Sequence, residues 1–244
     1  MKVQVDVLLM ETTRRCNMQC AHCMRGPKEN VDMSFDIIDE LLENIDYIYI
    51  ANFVGAEPSL YIDLIEYFFK RVKEKNIGLG GFWISTNGKE NQEILINVLN
   101  RAYPDMLIPS ICGLSVSSTP FHEKVNRDIF KDVVFLDNSR DKSNDSTDWI
   151  ADIGFAKENN VGNRVPNKTE YYYTKIDNIP DGEPIVHTNF YVSAKGGIMP
   201  ISECTFKDID ESTDPIEEFF SGLKEYVKLE QETKNGYILK NQKI

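Results

Sequence analysis

The chain has 244 residues, enough for one domain whose buried core needs no disulfides to stabilise it. Hydrophobic residues make up 41% and charged residues 27%, proportions typical of a globular protein and not of a collagen-like, coiled-coil or wholly disordered chain. The 27 basic and 39 acidic residues give a formal net charge of −12, which repels a nucleic-acid backbone unless a local basic patch opposes it. We therefore expect no nucleic-acid partner.

Membrane segments and disulfides are also not expected. No N-terminal stretch combines a basic start, an apolar run and a small-residue cleavage site, and no apolar stretch approaches the length that spans a bilayer. Five cysteines is an odd number, and three of them fall within eight residues, which is unlike a disulfide framework. We expect a cytoplasmic protein without a membrane partner, in which the clustered cysteines are ligands.

Strand-like and helix-like stretches alternate along the first half of the chain, the pattern of a parallel sheet covered by crossover helices. Strands are predicted at 3–10, 47–53, 82–85 and 113–117. The intervening helices are predicted from three apolar stripes: Ile37, Leu41, Leu42 and Ile45 after a cap at Ser34; Ile62, Ile65, Phe68, Phe69 and Val72; and Ile94, Leu95, Val98, Leu99 and Ala102.

The second half is less regular. Residues 137–148 are polar and small, which predicts a surface loop, with a lid over a substrate as a second hypothesis. Residues 149–156 fit a helix or a strand, and 184–192 predict a strand. Asp214 and Pro215 are expected to begin a helix that ends in a polar tail. We predict one domain over 1–244, with a core at about 1–200 and a C-terminal helix and tail at 201–244.

A cysteine cluster follows the first predicted strand: Cys16, Cys20 and Cys23 have the spacing C-x3-C-x2-C. Such a loop lies at the carboxyl end of a strand, where α/β folds place ligand sites. Soft thiolates favour zinc or an iron–sulfur cluster, but structural zinc takes four ligands and the chain has no second CxxC. His22 is a candidate fourth ligand, although its side chain is expected to point elsewhere. Three reduced cysteines packed as small hydrophobes are the remaining alternative.

This loop resembles the signature of the radical S-adenosylmethionine (SAM) superfamily, in which a CxxxCxxC loop after the first strand of a partial (β/α)6 barrel holds a [4Fe-4S] cluster. GAEP at 55–58 resembles the family's GGEP segment, which receives the SAM amino group. STNG at 85–88 resembles its TNG turn, and LSVS at 114–117 resembles its fourth strand, whose polar residue contacts the ribose. GFA at 154–156 resembles a later turn near the adenine. The likeness covers about the first half of the chain.

The resemblance implies an α/β fold, a partial (β/α)6 radical SAM barrel with a less regular C-terminal extension. It implies a [4Fe-4S] cluster and S-adenosyl-L-methionine as cofactors. The implied site residues are Cys16, Cys20 and Cys23 for the metal cluster, and Gly55, Ala56, Glu57, Pro58, Thr86, Asn87, Ser117 and His22 for SAM. Ala56 replaces the usual second glycine, and a methyl group is tolerated there if the backbone φ stays negative. His22 occupies a position where an aromatic ring is common.

The implied activity is reductive cleavage of SAM to a 5′-deoxyadenosyl radical, which abstracts hydrogen from an unidentified substrate. That substrate is a peptide, a protein or a small molecule, and the electron donor is a protein such as flavodoxin or ferredoxin. A glycyl-radical-enzyme activase is one form of this function. An iron–sulfur electron carrier or redox sensor without SAM chemistry is a second class, and a zinc-stabilised interaction module is a third. The second class needs no GAEP or STNG segment.

Basic residues flank the cysteine loop in an otherwise acidic protein: Arg14, Arg15, Arg25 and Lys28. They would steer an anionic electron donor or balance the charge of the cluster, and a solvated loop is an equal alternative.

The remaining cysteines and histidines receive no catalytic assignment. Cys112 and Cys204 lie too far apart to supply a second cluster, so a single cluster is expected, with Cys112 in the core. Cys204 is either another structural residue or a hydrogen-atom donor at the substrate cavity. His122 and His187 are expected to be structural, as most lone histidines are.

Overall fold

A computed structural model describes residues 2–117, 119–137, 150–167, 174–177, 184–200 and 203–241. The elements are β1 (Lys2–Thr13), α1 (Phe35–Leu42), β2 (Tyr47–Gly55), α2 (Ile62–Glu74), β3 (Gly78–Thr86), α3 (Gln92–Ala102), β4 (Gly113–Val116), α4 (Phe155–Glu158), β5 (Thr174–Asp177), β6 (Ile185–Val192), β7 (Gly197–Met199), α5 (Phe206–Ser212), β8 (Asp214–Pro215) and α6 (Ile216–Asn241). Of the predicted loop at 137–148, only Asp137 is among the described residues. Trp149 also lies outside them.

The strands form one open sheet in the order β4-β3-β2-β1-β6-β7-β8, with β5 paired to β6. The pairs among β1 to β4, and the pair of β1 with β6, are parallel, whereas β5, β7 and β8 pair antiparallel. This parallel-dominant, unclosed sheet confirms the predicted α/β class with a partial barrel. β6 pairs with β1 and not with β4, so β1 lies inside the sheet with strands on both sides.

Helices α1, α2 and α3 cover one face of the sheet, and their apolar stripes pack on it in one large core. At the centre of this core, Phe53 of β2 meets Phe68 of α2 edge to face, with ring centroids 5.4 Å apart. Each fully buried Phe contributes about 1.5–3 kcal/mol by leaving water. The residues of the predicted stripes lie in or against this core, with one exception. Ile94, in the first turn of α3, was predicted to be buried but is 56% exposed. Ser34 takes the N-cap position of α1, but its side chain makes no capping hydrogen bond.

Along each strand, the residues between the core-facing ones point to the opposite face of the sheet. There Leu9 and Val54 pack against a smaller cluster, which consists of Tyr191, Met199, Cys204, Phe206 and Ile209. Because successive residues of a strand point to opposite faces, the strands that build the core also build this second face. The second face lies beside the cavity described below.

Two sequence predictions for the C-terminal region differ from the structure. Asp214 and Pro215 do not start a helix: they form β8, which pairs with β7, and α6 starts at Ile216. α6 continues to Asn241, through most of the segment predicted as a tail. The residues described within 149–156 are neither one helix nor one strand, since Ala151 forms an isolated bridge with Arg164 and α4 starts at Phe155.

None of the helices in the described ranges is long and apolar enough to cross a bilayer.

A buried ion network connects the end of β1 with α5. Arg14 is fully buried, and its Nε donates to Glu11 at 2.8 Å, its Nη1 to Glu29 at 3.1 Å and its Nη2 to Asp210 at 2.7 Å. Removing one partner of such a buried network costs about 3–5 kcal/mol, because a charge is left without compensation. Arg14 is therefore a structural residue and not part of a solvated loop.

Candidate active site

A cavity of about 440 Å³ opens at the carboxyl ends of β1, β2 and β3. Its walls include ten of the eleven predicted site residues: Cys16, Cys20, His22, Cys23, Gly55, Ala56, Glu57, Thr86, Asn87 and Ser117. The exception is Pro58, which is buried at the first position of a 3-10 turn, Pro58–Leu60. Parallel strands end at the same edge of a sheet, so loops that are distant in the sequence meet there. The volume is within the range of small-molecule sites.

The three cysteines of the loop are free and partly exposed. Two N–H donors approach the sulfur of Cys16: the backbone of Met18 at 3.4 Å and Nδ2 of Asn87 at 3.9 Å. Burial raises the pKa of the Cys16 thiol, and it raises the pKa of Cys20 to about 11. As free thiols both hold their protons at neutral pH, so a bound metal has to displace them.

The segment around Gly154 supports the cysteine loop from outside. The backbone N–H of Phe155 donates to the carbonyl of Cys23 at 2.9 Å. Gly154 has φ +57° and ψ −138°, and a Cβ built on it would lie 2.4 Å from the carbonyl oxygen of Met24. Only glycine fits a backbone of this conformation so close to another chain segment. The GFA segment thus contacts the third cysteine of the loop directly.

Glu57 connects the end of β2 to the turn after β3. Its Oε1 accepts hydrogen bonds from the backbone of Ser59 at 3.1 Å and from the hydroxyl of Thr86 at 2.5 Å. Its Oε2 accepts from the backbone of Asn87 at 2.7 Å. Burial raises the pKa of Glu57, and these three donors oppose the rise because they stabilise the carboxylate. Both oxygens are thus engaged within the protein.

The backbone at Gly55 and Ala56 provides a different acceptor. Gly55 has φ +142°, and a Cβ on it would lie 2.4 Å from the carbonyl oxygen of Thr13, so this position requires glycine. Ala56 is not among the residues with positive φ, so its methyl group causes no backbone strain, in agreement with the sequence argument. The amide of Ala56 donates to Thr13 at 2.9 Å, and its carbonyl accepts no hydrogen bond from the described residues. That carbonyl remains available to a ligand.

His22 takes part in aromatic packing. Its ring stacks on Phe121 with centroids 5.0 Å apart and meets His122 edge on at 4.8 Å. Burial lowers the pKa of His22, and burial together with the neighbouring His22 lowers the pKa of His122 to about 4, so both rings are neutral at pH 7. This is the packing arrangement expected for the position before the third cysteine.

The other two cysteines lie away from the loop. Cys112 is buried in the core, as expected, and its sulfur would be 3.2 Å from a Cβ at Gly81. Cys204 is buried in the second-face cluster, where Nη1 of Arg25 donates to its carbonyl oxygen at 2.8 Å. Neither residue lines the cavity.

Several cavity residues were not predicted as site residues: Met18, Met24, Arg25, Phe155 and Phe206. Met24 and Arg25 follow the third cysteine directly, so their position in the loop was the available signal. Phe206 belongs to α5, almost two hundred residues from the cysteine loop, and no sequence pattern indicates its position. Of the other flanking basic residues, Arg15 pairs with Asp32 at 2.8 Å, and Lys28 donates to the carbonyl of Cys16 at 3.0 Å.

Comparison with known proteins identifies the class. The model of the Radical SAM superfamily matches residues 10–135, just over half of the chain. The chain therefore belongs to the Radical SAM superfamily. Membership indicates an enzyme and implies the [4Fe-4S] cluster and SAM as its cofactors.

Individual relatives match less of the chain. An uncharacterized protein of Methanocaldococcus jannaschii is 41% identical over 63 residues, which cover 24% of this chain and 22% of that protein. Among solved structures, anSMEcpe with bound AdoMet and Cp18Cys peptide is 16% identical, with a TM-score of 0.35, and the match covers 66% of this chain and 41% of the other. SuiB of Streptococcus suis bound to S-adenosylmethionine is 12% identical, with a TM-score of 0.37, and the match covers 80% and 60%. The chain thus spans less than two thirds of each, and these likenesses carry no functional conclusion.

The residues of the cavity fit both cofactors. Three free thiols line one cavity, N–H donors point at the sulfur of Cys16, and the open carbonyl of Ala56 lies on the same wall. In the part of the chain that the structure describes, no three His, Cys, Asp or Glu side chains converge closely enough to hold a single metal ion. A cubane cluster differs from a single ion because each thiolate binds its own iron, so the ligands surround a larger volume.

Proposed function

We propose that this chain is a radical SAM enzyme that reductively cleaves SAM at a [4Fe-4S] cluster and abstracts hydrogen from a peptide, protein or small molecule. The observation that carries the proposal is the single cavity shared by the cysteine loop, the 55–57 segment, the turn at Thr86 and Asn87, and Ser117. When bound and reduced, the cluster supplies one electron to the sulfonium of SAM, which yields methionine and a 5′-deoxyadenosyl radical. The protein positions the reactants and excludes water.

In this proposal each wall of the cavity has a separate task. Cys16, Cys20 and Cys23 hold three irons, and the carbonyl of Ala56 accepts from the SAM ammonium. Glu57 holds the turn at Asn87 against the end of β2, so it orients the wall and adds negative charge near the ammonium. Apolar side chains of Met18, Met24, Phe155 and Phe206 keep water from the reacting atoms.

The proposal also includes an external electron donor such as flavodoxin or ferredoxin and a cytoplasmic location, where such donors are found. In the described ranges, no second group of cysteines could relay electrons to the cavity, because Cys112 and Cys204 are buried in separate clusters.

The direct test is SAM cleavage by the anaerobically reconstituted protein. With dithionite and SAM, we expect 5′-deoxyadenosine and methionine to form, and neither product when the cluster, the reductant or SAM is omitted. The cluster of an iron–sulfur electron carrier would be reduced and reoxidised without forming 5′-deoxyadenosine or methionine. SAM would not change the electron paramagnetic resonance spectrum of that reduced cluster. That result would reject the proposal.

Replacing Glu57 by glutamine tests the role of the carboxylate. One carboxylate oxygen becomes an NH2 group that faces a hydrogen-bond donor, so the variant should lose about 1–3 kcal/mol of stability. We expect SAM to bind about tenfold more weakly, since a shift of about 1.4 kcal/mol in the binding free energy is a factor of ten. Iron content should stay at the wild-type level. Isothermal titration calorimetry measures the affinity for SAM, and thermal unfolding measures the change in stability.

The matched control is Glu90→Gln, which removes an exposed carboxylate four residues after Thr86. This control should match the wild type in SAM affinity and in unfolding temperature. Wild-type SAM affinity in the Glu57 variant would contradict the assignment.

A further inference from the structure

Arg25 is a cavity residue to which the proposed function gives no task. Its Nη1 donates to the carbonyl oxygen of Cys204 at 2.8 Å, and its guanidinium carbon lies 5.1 Å from the centroid of the Tyr191 ring. Among the ion pairs of the described residues, none joins Arg25 to a carboxylate. Its Nε and Nη2 donate no hydrogen bond there, and these two nitrogens form the edge of the guanidinium that binds carboxylates in bidentate fashion.

Glu11 does not neutralise Arg25 through direct contact. Its Oε1 accepts from Nε of Arg14 at 2.8 Å, and its Oε2 accepts from Nη2 of Arg14 at 3.4 Å and from the backbone of Ala194 at 3.0 Å. The carboxylate is thus engaged in the ion network at the end of β1. Arg25 lines the cavity, and its Nε and Nη2 donate no hydrogen bond to the described residues, so this donor pair is available to a ligand.

Part of the cavity that Arg25 lines is apolar. The cavity residues Met24, Val54, Ala56 and Phe206 belong to the loop, to the β2 end and to α5, and the last three pack in the second-face cluster. A guanidinium that shares a cavity with apolar side chains suits a singly charged carboxylate that carries an apolar group. A phosphate would bring more negative charge than one guanidinium neutralises.

We propose that Arg25 binds the carboxylate of the substrate, and that this substrate is an organic acid with an apolar body next to the carboxylate. The inference rests on the proposed function, because it places the substrate in the cavity shared with SAM. Arg25 then selects substrates by charge, while the apolar wall contacts the group that carries the reacting hydrogen.

The test measures binding and needs no turnover. Fluorine NMR compares para-fluorophenylacetate with the neutral para-fluorophenylacetamide on the reconstituted protein, loaded with SAM and kept free of reductant. We expect the acid to bind about tenfold more tightly than the amide, the effect of one charge-assisted pair. Arg25→Met should remove this preference, and Arg25→Lys, which keeps the charge but lacks the two-pronged edge, should reduce it.

The matched control is Lys28→Met, which removes the other Lys or Arg side chain among the described residues of the cavity wall and should leave the preference for the acid unchanged. Iron content and unfolding temperature show whether Arg25→Met folds. If it does not, the loss of preference for the acid is tested with Arg25→Lys. Three outcomes overturn the proposal: no preference in the SAM-loaded wild type, an unchanged preference in Arg25→Met, or a preference that disappears when SAM is added. The last would mean that Arg25 serves the carboxylate of SAM. Failure of the proposed function would appear separately, as absence of SAM cleavage.

Discussion

Alanine at Cys16, Cys20 and Cys23 together should abolish the brown colour of the anaerobically reconstituted protein and reduce its iron content to background. The wild type is expected to hold about four irons, because these thiols are the clustered soft ligands of the chain and line one cavity. All three side chains are partly exposed and outside the hydrophobic core, so their loss leaves the core packing intact. Iron and sulfide assays and the visible absorption spectrum measure the change.

Cys112→Ala is the matched control for this experiment. Cys112 is buried in the core, and its removal leaves a small cavity that costs about 1–2 kcal/mol without touching the loop. The control should keep full iron content and lose some thermal stability, the reverse of the triple variant. A colourless wild type that contains zinc would reject the cluster assignment, and so would full iron content in the triple variant.

Gly154→Ala should disrupt the same site from outside the cysteine loop. The added Cβ would lie 2.4 Å from the carbonyl oxygen of Met24 and 2.8 Å from that of Cys23, and the backbone conformation is one that alanine avoids. Strain and overlap together should cost about 3 kcal/mol or more. Since Phe155 donates to the carbonyl of Cys23, a shift of this segment also displaces the third cysteine. We expect a marked loss of iron and a lower unfolding temperature.

Alanine at two other glycines distinguishes the effect of backbone strain from that of steric overlap. Gly26 has φ +79° with no atom within 4 Å of an added Cβ, so Gly26→Ala carries strain alone, about 1–2 kcal/mol. Gly222 lies in α6 with open space around it, and Gly222→Ala should stabilise the protein by about 1 kcal/mol. Both controls should retain iron. Wild-type iron content in Gly154→Ala would show that this contact does not support the loop.

The region from β1 to β4 could be predicted from sequence because its determinants are local. Apolar stripes set the faces of α1, α2 and α3, and the predicted strands fall within or close to the observed ones. The motif segments follow successive strands, so the parallel topology alone brings them to one edge of the sheet. For this reason ten of the eleven predicted site residues line one cavity.

In the second half of the chain, the strand predicted at 184–192 is observed as β6. The places of the strands in the sheet could not be predicted there, because they depend on contacts between distant segments. β6 pairs with β1 across more than 180 residues, for example Lys2 with Ile185. Asp214 and Pro215 have the composition of a helix start, yet pairing with β7 places them in a strand. Tertiary pairing has overridden the local preference there.

The sequence by itself determined the class of the protein, the fold of its first half and the residues that meet at the carboxyl edge of the sheet, since spacing and periodicity are local properties of the chain. Only the tertiary structure decided which partners those residues have. Arg14 and Arg25 look alike beside the cysteine loop in the sequence. Arg14 is buried in an ion network with Asp210, whereas Arg25 lines the cavity and forms no ion pair with the described residues. The difference arises because α5 returns from almost two hundred residues away and supplies a carboxylate to one guanidinium and not to the other.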